Sequence, residues 1–198
     1  MLVFWKEKLV FLAVPKTGTT AIEGALAPKA ALVLREPPLL KHATVQRYKR
    51  ILQPMMDITQ EPAFDTVAVV RDPIDWLGSW YRYRHRDDRV GHANSTRGIS
   101  FDDFVRAYMS DDPPGFAAVG SQAKFLSSPD GGIGVTHLFR YEARPKLLRF
   151  LEARLATQIT LNRLNVSPPA DVTLSAEVAA ELRIRCAPEF TAWQAGIA

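Results

Sequence analysis

The stretch LVFLAVPKTGTT, residues 9–20, begins as six apolar residues and ends as a short polar run. Residues 9–14 are continuous and rich in β-branched side chains, as expected of a strand covered on both faces. Pro15 ends that run abruptly. The segment AIEGALA (21–27) has helical composition, so residues 9–27 read as strand, tight loop and helix. Upstream, residues 1–5 are also apolar, and the charged triplet Lys6, Glu7, Lys8 sits where a β-hairpin joining 1–5 to 9–14 would turn. Downstream, a second apolar run (31–34) follows a Pro-Lys break, which makes the opening a candidate βαβ unit with a right-handed crossover and parallel strands.

The same junction recurs at TVAVV (66–70), another buried-strand run. Arg71 stands at its tip, Asp72 is placed to cap a helix, and Pro73 takes the first helical position, where a missing N–H costs nothing. Residues 73–84 are therefore expected to form a helix leaving the carboxyl end of a strand. Val45, Tyr48, Ile51 and Leu52 have helical spacing, and Pro54 is expected to stop that helix. Residues 85–99 read as a polar surface loop. Ser100 and Asp103 resemble a capping box opening a helix over 101–109. A strand is expected at 135–141, an amphipathic helix at 143–156 and a last helix at 175–186 capped by Ser175. Residues 111–134, rich in Pro, Gly, Ser and Asp, carry no clear period. The alternation gives an α/β class: one domain over 1–198, with a short, mostly parallel sheet flanked by helices.

Composition agrees with a single folded unit. The chain has 198 residues, 47% hydrophobic and 23% charged, enough to bury roughly 70% of the surface its unfolded form exposes. Its one cysteine, Cys186, offers neither an internal disulfide nor a thiolate cluster for zinc. The apolar pieces near the start are each about six residues, far short of the ~20 a membrane span requires. No signal-peptide pattern accompanies them, which points to a cytoplasmic protein. A formal charge of +4 and a pI near 9.3 admit nucleic acid, an anionic membrane or small anions as partners. No run of five basic residues and no RNA-binding aromatic signature occurs, which disfavours nucleic acid.

Ligands of open α/β sheets bind beyond the carboxyl ends of strands, where both junctions stand. In Pro15-Lys16-Thr17-Gly18-Thr19-Thr20 the glycine lets backbone approach closely, the helix start aims N–H groups at an anion, and an ammonium with three hydroxyls completes a cradle for phosphate or sulfate. A plain polar turn is the bland alternative. At the second tip Arg71 supplies a bidentate fork, and Ser79, on the same helical face as Asp72, stands where Arg71 can reach it around one anion. Taken alone, Arg-Asp-Pro reads equally as a helix-start salt bridge.

VFLAVPKTGTT followed some fifty residues later by VAVVRDPIDWLGSWY resembles the PAPS-dependent sulfotransferases, in particular compact bacterial members related to the carbohydrate, heparan-type enzymes. The resemblance implies a P-loop-like sulfotransferase fold. It further implies that Lys16, Thr17, Gly18, Thr19 and Thr20 hold the 5′-phosphosulfate end of 3′-phosphoadenosine-5′-phosphosulfate (PAPS), and that Arg71 and Ser79 hold its 3′-phosphate. Trp80 and Tyr81 follow in the usual aromatic place. FRYE (139–142) and LNVSP (164–168) look like further family signposts of unassigned role.

Sulfuryl transfer needs positioning and charge stabilisation and demands no metal. Lys16 is then the candidate to neutralise charge on the leaving phosphate. His42, between the two motifs, is the candidate general base, with an ordinary pKa suited to neutral pH. A plain helix-start histidine is the other reading of His42. His85 and His92 read as solvated, His137 as structural, and Glu23 as a paired or solvent-facing carboxylate. Trp76, Trp80 and Tyr83 read mostly as core, with sugar stacking the sharper alternative, and Arg82, Arg84, Arg86 and Arg89 as a solvated face. Gln122 and Lys124 are weak candidates for reaching substrate or the 3′-phosphate. The acceptor that the resemblance implies is a saccharide hydroxyl, with a lipid-linked, small-molecule or peptide acceptor as alternatives, and neither a nucleic-acid partner nor a membrane span is expected. The rivals are a phosphate-loop kinase or NTPase, against which Lys16 precedes its glycine instead of following a glycine run, and a non-catalytic nucleotide sensor. Basic residues also crowd the segment around His42, namely Arg35, Lys41, Arg47, Lys49 and Arg50 against Glu36.

Overall fold

The computed structural model describes residues 1–58, 62–161 and 169–198. Five strands form one mixed sheet in the order β3-β1-β2-β4-β5, with β1 Leu2–Phe4, β2 Leu9–Phe11, β3 Leu32–Val33, β4 Asp65–Val70 and β5 His137–Arg140. The expected hairpin is present: β1 runs antiparallel to β2, with Val3 opposite Val10. Strand β2 pairs parallel with β4, and β4 with β5. Strand β3 lies on the far side of β1 and runs antiparallel to it, so β3 points along β2 without touching it. The βαβ reading thus had the relative direction of the two strands right and the neighbour wrong, because the hairpin's first strand fills the slot between. The sheet is consequently mixed, with β1 alone running against the other four.

Alternation along the strands divides the core between the two faces. Val3, Val10, Leu12, Ala68, Val70 and Leu138 face one way, against Val45, Tyr48, Leu52, Phe125 and Leu126. Leu2, Phe4, Leu9, Phe11, Val67, Val69 and Phe139 face the other, against helices α1 (Thr19–Leu26) and α8 (Arg144–Leu155). Between these two helices come α2 Pro38–Lys41, α3 Val45–Arg47, a π-helical stretch Tyr48–Leu52 and α4 Gln53–Asp57. They are followed by α5 Pro73–Arg84, α6 Phe101–Tyr108 and α7 Gln122–Leu126. The last two helices are α9 Ala176–Arg185 and α10 Ala187–Gln194. A third apolar cluster, holding Trp76, Leu77, Tyr81, Phe104, Val178, Leu182 and Phe190, joins α5, α6, α9 and α10 beside the sheet.

Several caps fall where the sequence put them. Asp72 accepts from the Ile74 and Asp75 amides, Ser100 from Asp103 and Ser175 from Val178. Pro54, however, does not stop its helix, which runs on to Asp57. The π turns just before it, in which the Gln53 amide reaches the Tyr48 carbonyl, widen the coil where the proline ring would otherwise meet the preceding turn. Helices α2, α7 and α10 were not anticipated. The LNVSP signpost lies outside the described residues.

Candidate functional site

Val14 and Pro15 carry the chain from β2 into a loop that needs two left-handed residues in three: Lys16 at φ 65° and Gly18 at φ 76°. Glycine holds that conformation at no steric cost; lysine does not. Thr17 is buried and its hydroxyl donates to the Val14 carbonyl at 2.9 Å, closing the turn on itself. A methyl on Gly18 would stand 3.2 Å from the Tyr141 ring. No side chain caps the amino end of α1 at Gly18. Thr19 is buried and Thr20 exposed.

Lys16 is the centre of the arrangement. Its ammonium lies 3.9 Å from the centre of the Tyr83 ring and 5.1 Å from that of Trp80, with no carboxylate in ion-pair range among the described residues. Burial, followed by the nearby charges of Arg86, Arg71, Arg82 and Arg84, lowers its pKa to about 7. Trp80 and Tyr83, read from sequence mostly as core, are the aromatic walls of this box. Trp76 is core, as its spacing suggested, but its indole N–H also donates to the Pro15 carbonyl at 2.9 Å and fastens the loop to α5.

Arg71 meets the loop from the neighbouring strand tip. One guanidinium nitrogen donates to the Lys16 carbonyl at 3.1 Å, Nε donates to Asp75 at 2.7 Å, and the group stacks 4.4 Å over Tyr141. No hydrogen bond joins it to Ser79, which sits half-buried further along α5. The two motifs are thus brought together through Arg71 and Lys16, whereas the Arg71–Ser79 pairing around one anion is not made by direct contact. Arg84 departs from the solvated-face reading: it is 8% exposed and donates to the carbonyls of Gly115 and Ala118. Arg89 donates to the Tyr83 hydroxyl at 2.8 Å.

His42 ends α2 and lies against the chain leaving β2. Its Nδ1 stands 2.7 Å from the Ala13 carbonyl. A carbonyl can only accept, so Nδ1 carries the proton and Nε2 presents a lone pair in the neutral ring. Burial lowers the His42 pKa, and the Ala13 bond opposes that shift. Glu23 is buried and occupied, accepting from the Met1 ammonium at 2.9 Å and pairing with Lys41 at 3.3 Å. Thr44, Gln46, Arg47, Lys49, Arg50 and Pro129 line an open groove of about 530 Å³, to which Lys16, His42 and Arg71 do not contribute. His92 is exposed, His137 lies against the Phe150 ring, and His85 lies against Tyr81 with its Nδ1 buried and unpartnered, unlike the solvated reading. Among the described residues no three His, Cys, Asp or Glu side chains are grouped to hold a metal ion. No described helix is long and apolar enough to cross a membrane.

Sequence reasoning left Tyr141, Glu142 and Glu189 without a role and gave Gln122 only as a weak candidate for reaching substrate or the 3′-phosphate. Tyr141 underlies both Gly18 and Arg71. Glu142 accepts from the Asp72 amide at 2.9 Å and from the Trp193 indole at 3.1 Å. Gln122 and Glu189 stand behind Arg71. The FRYE segment was the available signal, since it occupies the tip of the third parallel strand, next to the other two. Comparison with protein-family models, with curated proteins and with solved structures finds no match for this chain.

Proposed function

We propose that this chain is a PAPS-dependent sulfotransferase with a P-loop-like sulfotransferase fold, acting on a saccharide or other small hydroxyl-bearing acceptor. The observation that carries the reading is the Arg71–Lys16 junction, where two phosphate-type motifs some fifty residues apart meet at adjacent parallel strand tips. The residues present suit a bisphosphorylated nucleotide: a partly buried ammonium with no carboxylate in ion-pair range among the described residues, arginines around it, and a helix start with no side-chain cap.

When bound, the nucleotide supplies an electrophilic sulfuryl group. Lys16 meets its phosphate charge, and an anion there restores the lysine to its charged form. The αL turn at Gly18 lets the backbone amides approach the same oxygens. His42, held by Ala13 in the Nδ1–H tautomer, takes the acceptor hydroxyl proton at Nε2.

Adenosine 3′,5′-bisphosphate, added without magnesium, tests the assignment. At ~100 times its dissociation constant it should add ~2.7 kcal/mol of stability, read as a thermal shift. A larger shift from ATP–Mg with none from the bisphosphate would point to a kinase or NTPase and overturn the proposal. In the same preparation His42→Ala should abolish turnover of labelled PAPS and keep bisphosphate affinity; unchanged turnover would remove His42 from the mechanism.

A further inference from the structure

Arg71 lies just past the last rung of the β4–β5 ladder, in which Val70 stands opposite Arg140. Its own N–H and C=O therefore have no strand partner on that side. One buried side chain takes both. Gln122, 0% exposed, accepts from the Arg71 amide through Oε1 at 2.9 Å and donates from Nε2 to the Arg71 carbonyl at 3.0 Å. This pair of hydrogen bonds, to the two peptide units that flank the Arg71 Cα, fixes which end of the Gln122 amide is which and locks the backbone from which the Arg71 guanidinium springs.

Gln122 is itself held from behind. Glu189 on α10, 5% exposed, accepts from the Gln122 amide at 3.1 Å, from the Ala123 amide at 3.3 Å and from the Ser121 hydroxyl. Its carboxylate thus fills the amino end of α7 with acceptors only, where three donors converge. A buried carboxylate so far from solvent is costly unless its bonds are made. Here they are made to the one turn that presents Gln122.

We propose that Gln122 and Glu189 form a buried positioning pair that sets Arg71 for the second phosphate of the nucleotide. Neither residue touches the ligand site; Glu189 acts through Gln122, and Gln122 through the Arg71 peptide. The inference rests on the sulfotransferase reading, in which Arg71 meets the 3′-phosphate.

The test compares adenosine 3′,5′-bisphosphate with adenosine 5′-monophosphate by calorimetry. Gln122→Glu places an oxygen against the Arg71 carbonyl, and Glu189→Gln places a donor among donors. Each is near-isosteric and should weaken bisphosphate binding about tenfold or more while changing monophosphate binding less than about twofold, as Arg71→Ala does. In a double variant with Arg71→Ala, Gln122→Glu should cost nothing further. If a Glu189 variant does not fold, Ser121→Ala, which keeps both amide bonds to Glu189, should give a smaller loss of the same selectivity. Equal losses for both nucleotides, or losses that add to those of Arg71→Ala, overturn the positioning role. A wild-type protein that binds the monophosphate and the bisphosphate equally overturns it as well. Wild type binding neither nucleotide removes the parent assignment and this one together.

Discussion

Lys16 carries its ammonium into an aromatic box in a ring of arginines, and its pKa of about 7 has a consequence for stability. In the unfolded chain the same group titrates near 10.5. Between those values the unfolded state binds more protons than the folded one, so this residue's contribution to stability improves as pH rises. Below pH 7 the folded state bears the whole cost of the buried charge. Lys16→Met should therefore raise the melting temperature most near pH 6, by roughly 2–4 °C for each kcal/mol gained in a chain of this size. The gain should shrink steadily from pH 7 toward pH 10. Melting curves across that range check it, and a gain independent of pH would contradict the cause assigned. The position of Lys16 was legible because a short motif with local geometry sets it. The box was not, since Trp80 and Tyr83 carry the helical spacing of core residues and only the tertiary approach of the loop turns them toward an ammonium.

At the level of elements, strands and capped helices were legible wherever local chemistry is decisive: the hairpin, β4, α5 from its Asp-Pro start, and the caps at Ser100 and Ser175. What escaped depends on partners distant in sequence. The run 31–34 was legible as a strand, but its pairing with β1 in place of β2 was not. The π turns before Pro54 have no period of their own, and α7, five residues long, is held by Glu189 from α10. A further contact of this kind fixes the connection from α7 to β5. A methyl on Gly134 would stand 2.5 Å from the Val45 side chain and 2.8 Å from that of Ser128, too close for either to remain. Gly134 also donates to the Leu126 carbonyl at 2.8 Å and so cannot simply swing away. Gly134→Ala should cost about 1–3 kcal/mol by overpacking, measured by denaturant midpoint with an unchanged slope. A neutral substitution would show that the α3 and 127–134 segments part more easily than their contacts imply.

For the whole molecule, the candidate site lies where the three apolar clusters meet. The loop belongs to the sheet through β2 and α1, and Trp76 and Arg71 tie it to the helical layer by bonds to Pro15 and Lys16. Behind them, Gln122 and Glu189 join β4 to α7 and α10, and Arg140 on β5 donates to the Trp193 and Gln194 carbonyls at the end of α10. Layers joined by buried polar bonds on both sides of a ligand site have little freedom to unfold one at a time. With Trp5 of the hairpin replaced in a Trp5→Phe variant, the remaining tryptophans, Trp76, Trp80 and Trp193, all stand on helices, whereas far-ultraviolet circular dichroism reports on all the secondary structure. The two signals should therefore fall in one coincident thermal transition, and adenosine 3′,5′-bisphosphate should move both by the same amount. An earlier loss of the tryptophan signal, shifted by ligand while the dichroism transition stays in place, would mean that the helical layer folds on the sheet as a separate unit. The net charge of +4 belongs to the same picture: holding the Lys16 ammonium half-buried amid arginines is electrostatically unfavourable, so an anion seated there should stabilise both layers together.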